Sequence, residues 1–417
     1  MTENLQPENF PARRAGSPQP RILYFTPYWP HRASCASELR AHHVLRALQE
    51  IGEVQVVVVD AEGGGDEWAQ LAEKPFHVLD SLKVAEFGER GFLRKLSWAT
   101  NPRVQYPHGC GVAAAAAGRV LAAAKDFDLV WFCKLRTPNM FAQWRWPRAV
   151  ADIDDVPSTF ERSVLKTGLG FKEKLLTQMR VRSWVRQEKL LGERFSVLGV
   201  CSEGDQAYLQ SLGVRAPIHV IPNGYELPAQ PPVRQPASPP RLGFIGIFDY
   251  EPNLQGIRWF AEKCWPLVKQ KVPAARLRLV GRMSDGPCQP AGRDIDGLGW
   301  VPDVTKEMAT WSAMIVPIQL GAGTRGKIAH GFSQQCPIVS TNIGAYGYGA
   351  RDGVEMFLAD RAEDFAAACV KAMQQPDVAA AMAQKAHQQF LEKWTWDAIR
   401  PRIWAAAEAG LRQPASA

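Results

Sequence analysis

Short apolar runs alternate with segments of helical spacing over much of the chain. Residues 21–26 read RILYFT, residues 38–51 place Leu39, Leu45 and Leu48 at helical intervals, and residues 54–59 are almost all valine. A valine-rich run is typical of a strand buried on both faces of a sheet. The order strand, helix, strand predicts the opening of a doubly wound parallel α/β sheet.

The same alternation continues towards the C-terminus and is interrupted once. Strand-type runs recur at 128–132, 149–153, 196–202, 241–248 and 276–281, and helical spacing at 253–272, 361–374 and 378–394. Residues 228–240 read PAQPPVRQPASPP, which is too rich in proline for a core element. The sequence therefore predicts two α/β domains, at 21–227 and 241–396, with a linker at 228–240.

The most informative stretch is 314–347, which reads as strand, glycine loop, helix and strand. Gly321 and Gly323 allow the backbone to approach a ligand closely, since neither has a Cβ. Thr324 is predicted to cap a helix whose first turns carry Arg325 and Lys327. Free N–H groups at a helix start and two cations together favour an anion, and a phosphate is the expected ligand.

This stretch resembles the donor-site motif of GT-B glycosyltransferases of family 4. The match, in register, covers Gly321, Gly323, Thr324, Arg325, Lys327, Ile328, Pro337, Ile338, Val339, Ser340, Thr341, Gly344 and Ala345. It departs at His330, where the family has the second glutamate of its paired-Glu motif, and at Ala322, the first position of that pair. Weaker similarities extend the resemblance to about residues 21–400.

The resemblance implies two domains of GT-B type facing across a cleft, with residues 397–417 returning to the first domain. It implies a retaining, metal-independent transferase of hexosyl type that needs no cofactor and uses a nucleotide-diphospho sugar. Arg325 and Lys327 are then the expected catalytic cations on the departing diphosphate. The expected nucleotide-sugar contacts are Gly246, Asn253, Trp300, Val301, Gly321, Gly323, Thr324 and His330.

The imidazole of His330 leads to a specific prediction about the pH dependence of nucleotide binding. A neutral imidazole offers one acceptor and one donor, whereas the family's carboxylate accepts from both ribose hydroxyls. A nearby phosphate would favour the protonated ring, so nucleotide binding is predicted to tighten as the pH falls from about 8 to 6.

Polar residues of the first domain are candidates for the acceptor side. Asp154 and Asp155 follow a predicted strand, and carboxyl ends of parallel strands face the ligand crevice. His31 and Arg32 lie in the loop after the first strand, and Arg40 matches an arginine often found in the family. The alternatives are an exposed loop for His31 and Arg32, and helix caps or turn formers for the aspartates.

Residues 165–194 are predicted to form one or two basic helices. They contain eight basic and three acidic residues, a difference of +5. Leu175, Leu176, Met179 and Trp184 share half of the helical wheel with Leu190 and Leu191. Such a helix either rests on an anionic bilayer surface or packs on its own domain.

Composition narrows the class further. The net charge is +7 with a pI near 9.0, which suits phosphorylated substrates. The sequence has no nucleic-acid-binding motif, so nucleic acid is not an expected partner.

The eight cysteines lack a Cys-x-x-Cys pair, which favours reduced thiols in a cytoplasm, and no metal-ligand spacing occurs. Residues 1–20 predict a disordered leader, and no apolar run reaches membrane-span length.

Function therefore has one leading interpretation and two alternatives. The leading one is sugar transfer to a lipid-linked or saccharide acceptor in bacterial surface polysaccharide synthesis, in the cytoplasm or peripherally on the inner membrane face. A catalytically degenerate GT-B scaffold is the first alternative, motivated by Ala322, His330 and the absence of the family's Gly-Gly loop. A nucleotide-sugar epimerase, which shares the fold, is the second. A dehydrogenase is disfavoured because no Gly-x-Gly-x-x-Gly follows the first strand.

Overall fold

A computed structural model describes residues 18–31, 35–59, 65–86, 97, 98, 100, 101, 103, 110–230, 233–287, 290 and 292–414. The chain divides into two compact units. Unit 1 comprises Met1–Pro222 and Ile399–Ala417, and unit 2 comprises Asn223–Ala398. The predicted leader, residues 1–20, lies largely outside the described residues.

Unit 1 is built on a seven-stranded sheet in which every pairing is parallel and the strand order is β3-β2-β1-β6-β7-β8-β9. The order reverses between β1 and β6, which is the topological switch point of a doubly wound sheet. Its strands are β1 Arg21–Thr26, β2 Glu53–Val59, β3 His77–Leu82, β6 Leu129–Cys133, β7 Trp146–Asp152, β8 Phe195–Val200 and β9 Ile218–Val220; β4 Val84–Glu86 and β5 Cys110–Val112 form a separate antiparallel pair.

The helices of unit 1 connect these strands. They are α1 Ala36–Gln49, α2 Gly65–Gln70, α3 Ala114–Ala124, α4 Arg136–Asn139, α5 Pro157–Val164, α6 Phe171–Glu188, α7 Leu191–Arg194 and α8 Glu203–Ser211. The single stretch predicted at 165–194 is thus a loop followed by α6 and α7. Ser202 caps α8, because its hydroxyl accepts the N–H of Asp205.

Unit 2 has a six-stranded parallel sheet with the order β12-β11-β10-β13-β14-β15 and its switch point between β10 and β13. Its strands are β10 Arg241–Ile245, β11 Arg276–Val280, β12 Ile295–Gly297, β13 Ala313–Val316, β14 Ile338–Ser340 and β15 Phe357–Leu358. Its helices are α9 Glu251–Trp259, α10 Trp265–Lys271, α11 Val304–Ala309, α12 Gly326–Ser333, α13 Ala362–Gln374 and α14 Pro376–Lys393; a last helix, α15 Trp396–Leu411, continues into the residues of unit 1. The predicted fold class, two doubly wound α/β domains, is confirmed for each unit.

Two local features differ from the sequence prediction. The helix predicted at 253–272 is divided by a π-helical turn, Phe260–Cys264. This turn ends two residues before Pro266, which has no N–H for the helical ladder. Backbone hydrogen bonds hold the proline-rich segment against the rest of unit 2, because Gln235 and Ala237 donate their N–H groups to the carbonyls of Ala309 and Thr310. The division between the units falls at Pro222, before that segment.

Among the described residues, no helix is long and apolar enough to cross a membrane.

Candidate functional site

The glycine loop of unit 2 follows β13 at the switch point of its sheet. Gly321 and Gly323 have φ values of 129° and 67°, which favour glycine. A Cβ at Gly321 would lie 2.1 Å from Nη2 of Arg325. Glycine is therefore required at 321 both by the backbone conformation and by the close packing of this arginine.

Arg325 is half-buried and folds back under its own loop. Its guanidinium donates to the carbonyls of Leu320 and Gly323, each at 3.2 Å, and to that of Ala322. These bonds fix the loop. Arg325 therefore has a structural role that the sequence did not indicate.

Lys327 lies in the first turn of α12. Its Nζ donates to Oδ1 of Asn253 at 2.8 Å and lies 4.0 Å from the ring centre of Phe244. Burial, and secondarily the charge of Arg325, hold the pKa of Lys327 well below its usual value. Within the described part of the chain, neither Lys327 nor Arg325 forms an ion pair with a carboxylate. Among the described residues, no carboxylate therefore pairs with the two basic side chains at the start of α12.

Asn253 is held in place by the loop that follows β10. Its Nδ2 donates to the carbonyl of Ile247 at 3.0 Å, and a Cβ at Gly246 would lie 2.8 Å from the same nitrogen. The absence of a side chain at Gly246 lets the asparagine reach Lys327. Gly246 and Asn253 are both donor contacts that the family resemblance implies. Gly246 leaves room for Asn253, and Asn253 in turn contacts Lys327.

Thr324 was predicted to cap the helix, and this prediction is wrong. The N-terminal capping position of α12 is Arg325, without a side-chain cap bond. The hydroxyl of Thr324 instead accepts a hydrogen bond of 3.1 Å from Nδ2 of Asn223. Asn223 belongs to the sequence Ile221-Pro222-Asn223-Gly224, and its partner Thr324 is 101 residues away along the chain.

His330 is buried, with 7% of its surface exposed, and stacks on Tyr225 at a ring distance of 4.3 Å and an angle of 16°. Burial lowers the pKa of His330 to about 4. The predicted tightening of nucleotide binding between pH 8 and pH 6 does not follow from this placement, because the ring is neutral throughout that range. Sequence reasoning missed Tyr225, the residue that covers the imidazole.

The buried His330 predicts a loss of stability in acid. Its pKa in the folded chain lies below the unfolded value of 6.5, so its contribution is complete above pH 6.5 and is lost as the pH falls towards 4. The difference between a pKa of 6.5 and one of about 4 corresponds to about 3 kcal/mol. We expect His330→Gln to lose less stability than the wild type between pH 7 and pH 4, as measured by urea unfolding. Equal slopes for both would contradict the placement, and exposed His77→Gln is the control.

Trp300 and Val301 follow Gly299, whose φ is 66°. The N–H of Gly299 donates to the buried hydroxyl of Ser284 at 2.9 Å, and its carbonyl accepts the N–H of Gly281. This anchored turn leaves the indole of Trp300 71% exposed, whereas Val301 packs partly into the core. An exposed aromatic ring on a fixed turn suits the predicted contact with a nucleobase.

The predicted acceptor-side residues of unit 1 have different environments. Arg40 is fully buried and forms a bidentate pair with Asp152, at 2.9 and 2.5 Å, so as placed it is a structural residue and not an acceptor contact. Asp154 is buried and accepts from Lys134 and Cys201, whereas Asp155 is exposed. Burial holds the pKa of Cys201 well above its usual value.

His31 lies in an aromatic group with Trp29 and Trp68, at ring distances of 6.0 and 5.6 Å. Its Nε2 is 3.8 Å from a carboxylate oxygen of Glu67. Little of the imidazole reaches the surface, so the alternative of a plain exposed loop does not fit this residue. Arg32, the other candidate in this loop, lies outside the described residues.

The matching family model is that of Glycosyl transferases group 1, and it covers residues 239–375. This segment contains the glycine loop, Lys327 and His330. A comparison with curated proteins finds no match.

Solved structures resemble almost the whole chain in fold at low identity. Anabaena Alr3699/HepE in complex with UDP-glucose is 15% identical with a TM-score of 0.60, covering 92% of this chain and 98% of that one. A mutant of S. aureus TarM in complex with Fondaparinux, alpha-GlcNAc-glycerol and UDP is 11% identical, with a TM-score of 0.63 and coverage of 93% and 99%. WaaG, a glycosyltransferase involved in lipopolysaccharide biosynthesis, is 13% identical, with a TM-score of 0.60 and coverage of 92% and 99%. These similarities establish the GT-B-like fold class.

Proposed function

We propose that this chain, in which residues 239–375 match the model of Glycosyl transferases group 1, transfers a sugar from a nucleotide-diphospho donor. The observation that carries the proposal is the pair of basic side chains at the start of α12. Lys327 and Arg325 lie there beside a glycine loop, without a carboxylate partner among the described residues. A diphosphate supplies the missing negative charge and is narrow enough to approach glycine backbone.

The chemistry needs stabilisation of charge on the departing diphosphate. As the bond between the sugar and the phosphate oxygen breaks, negative charge grows on that oxygen. Lys327, preorganised by Asn253 and Phe244, and the N–H groups at the start of α12 stabilise this charge most in the transition state. Arg325 keeps the loop in the conformation that this contact requires. We propose that these groups serve in place of a divalent metal, with retention of anomeric configuration as the family resemblance implies.

The remaining donor contacts are distributed around the same switch point. We propose that Gly246, Gly321 and Gly323 admit the diphosphate, that Thr324 and His330 contact the sugar-ribose part, and that Trp300 and Val301 border the base. Two structural neighbours were solved in complex with UDP-glucose or UDP, and a third is involved in lipopolysaccharide biosynthesis. This supports a hexosyl donor and a lipid-linked or saccharide acceptor in bacterial surface polysaccharide synthesis.

The first half of α6 supports a peripheral contact with an anionic membrane. Phe171 is 87% exposed, and Leu175, Leu176 and Met179 are also exposed. Lys172 and Lys174 are exposed beside them. We name these six residues the α6 tip. Exposed apolar groups together with lysines are suited to the boundary between headgroups and acyl chains. By contrast, the basic residue Arg180 donates from its Nε to Oε2 of Glu161 at 2.9 Å.

Vesicle binding tests this contact. We expect Lys172→Glu with Lys174→Glu to weaken binding to anionic liposomes at least about tenfold, since each basic residue near the surface contributes about 1 kcal/mol. Binding of the wild type should fall as salt is raised. Exposed Leu391→Ser is the control for an apolar change elsewhere. Equal binding of the wild type to neutral and anionic vesicles would contradict a charge-dependent contact.

A catalytically degenerate scaffold is the second candidate. It is favoured by His330 at the glutamate position and by the hydrogen bonds of Arg325 to its own loop.

A thermal-shift series with UDP, GDP, ADP and dTDP tests ligand binding. A ligand at 100 times its Kd should stabilise the chain by about 2.7 kcal/mol. Slow donor hydrolysis without acceptor separates an enzyme from a scaffold, and the sugar recovered after incubation separates a transferase from an epimerase.

A further inference from the structure

A cavity of about 550 Å³ lies in unit 2, at the amino ends of its parallel strands. Its lining includes Pro240, Ser312 and Pro337, the residues that immediately precede β10, β13 and β14. The glycine loop, by contrast, follows the carboxyl end of β13. The volume is within the roughly 300–1,000 Å³ of pockets for small ligands. We name this space the amino-edge cavity.

The walls of the amino-edge cavity are aliphatic. They consist of four prolines, four alanines and Met373, and none of the described lining residues is aromatic. The proline-rich segment forms one wall, and the end of α13 with the first half of α14 forms another. Without an aromatic platform, the cavity offers no stacking surface to a nucleobase or to the face of a sugar ring. These walls suit a flexible apolar chain.

The lining contains one cation and no carboxylate. The cation is Arg234, which is half-buried and donates to the carbonyls of Met308 and Trp311. These two bonds leave part of the guanidinium available to a ligand. Burial raises the pKa of the Cys336 thiol and the neighbouring Arg234 opposes that rise, so the guanidinium lies close to the start of β14. Within the described chain, Arg234 forms no ion pair.

Three neutral polar side chains complete the lining. They are those of Ser312, Gln335 and Gln384, and none of the three forms a hydrogen bond to the part of the chain that the structure describes. A few polar groups in a mainly apolar cavity are typical of small-molecule sites. The formal charge of the lining is +1, which a ligand with a single negative charge balances and a multiply charged nucleotide exceeds.

We infer that the amino-edge cavity binds an aliphatic carboxylate of the fatty-acid class. The carboxylate contacts Arg234, because a guanidinium pairs with carboxylates through charge-assisted hydrogen bonds. The chain of the ligand lies along the prolines, the alanines and Met373, where its burial removes apolar surface from water. The inference is independent of the proposed function, since no residue of this lining belongs to the donor site.

Titration calorimetry on the full chain tests the class of ligand. The probe is decanoate below its micelle concentration. Acetate supplies the carboxylate without the chain, and decyltrimethylammonium supplies the chain with the opposite charge. We expect decanoate to bind, and both comparison compounds to bind at least about tenfold more weakly.

Two pairs of variants test the position of the ligand. Ala380 is an exposed residue of the lining, so Ala380→Phe fills the cavity from its open side and should weaken decanoate binding at least about tenfold. Ala381→Phe, an exposed change on the same helix outside the lining, should bind as the wild type does. Arg234→Gln should also weaken binding, whereas Arg258→Gln, on the exposed surface of α9, should not. Thermal melting checks that each variant is folded.

The possible results separate this inference from its alternatives. Failure of decanoate to bind, or equal binding by Ala380→Phe, would overturn the cavity as a fatty-acid site. Equal binding of decyltrimethylammonium would overturn the role of Arg234. Dimerisation in sedimentation that Ala380→Phe abolishes, without decanoate binding, would assign this face to a second copy of the chain.

The proposed function is tested separately. Lys327→Met should bind decanoate as the wild type does, because Lys327 is not part of the lining. If decanoate binds and Ala380→Phe weakens it, but no nucleotide binds, the fatty-acid site stands and the proposed transferase fails.

Discussion

Lys327→Met is expected to lower the rate of sugar transfer roughly 10²- to 10³-fold, a loss comparable to removal of one oxyanion donor. Methionine keeps an apolar stem beside Phe244 but cannot carry the charge that the departing diphosphate needs. The measurement is the initial rate of transfer or of donor hydrolysis. Exposed Lys306→Met, on α11 of the same unit, is the matched control and should retain the wild-type rate.

The same substitution should not weaken the fold. Burial depresses the pKa of Lys327 in the folded chain, so the unfolded state holds this proton more tightly and the charged form of the side chain destabilises the native state. Stability from this group therefore rises as the pH increases through its folded pKa. Removing the charge should leave the urea midpoint at neutral pH unchanged or raised. A variant that loses activity because it unfolds would contradict this explanation of the loss.

Arg40→Met is expected to destabilise the chain by about 3–5 kcal/mol, because it leaves a buried carboxylate without its partner. Arg40 and Asp152 are both fully buried, and the guanidinium also donates to the carbonyl of Pro222 at 3.2 Å. The measurement is the free energy of unfolding in urea. Arg46→Met, an exposed change on the same helix, should differ from the wild type by less than about 0.5 kcal/mol.

A second variant separates charge from packing. Burial raises the pKa of Asp152 while Arg40 opposes that rise, so the isolated carboxylate is the expected source of the loss. Adding Asp152→Asn to Arg40→Met should therefore recover part of the stability. A double variant no more stable than Arg40→Met would indicate that lost packing, and not the unpaired charge, is responsible.

The features that the sequence predicted well depend on local pattern. Strand β1 begins and ends where its apolar run does, and the glycine loop follows β13 as the spacing of Gly321 and Gly323 indicated. Short edge strands such as β12 and β15, with three and two residues, carry too little pattern to be recognised. Hydrophobic periodicity identifies an element only when several of its residues face the core.

The features that the sequence did not predict depend on distant partners. The hydroxyl of Thr324 binds Asn223, His330 is made neutral by burial under Tyr225, and Lys134 pairs with Asp154 across two strands. In each case the sequence shows the residue itself but not the distant residue that contacts it.

Titration calorimetry with UDP, GDP, ADP and dTDP tests the central proposal most directly. The proposal predicts that at least one nucleoside diphosphate binds the wild type and Lys306→Met with equal affinity, and that Lys327→Met binds it at least tenfold more weakly. The corresponding nucleosides, which lack the diphosphate, should bind all three proteins alike. Binding of a nucleoside diphosphate that is unaffected by Lys327→Met, or no binding by any of the four, would contradict a diphosphate site at the start of α12.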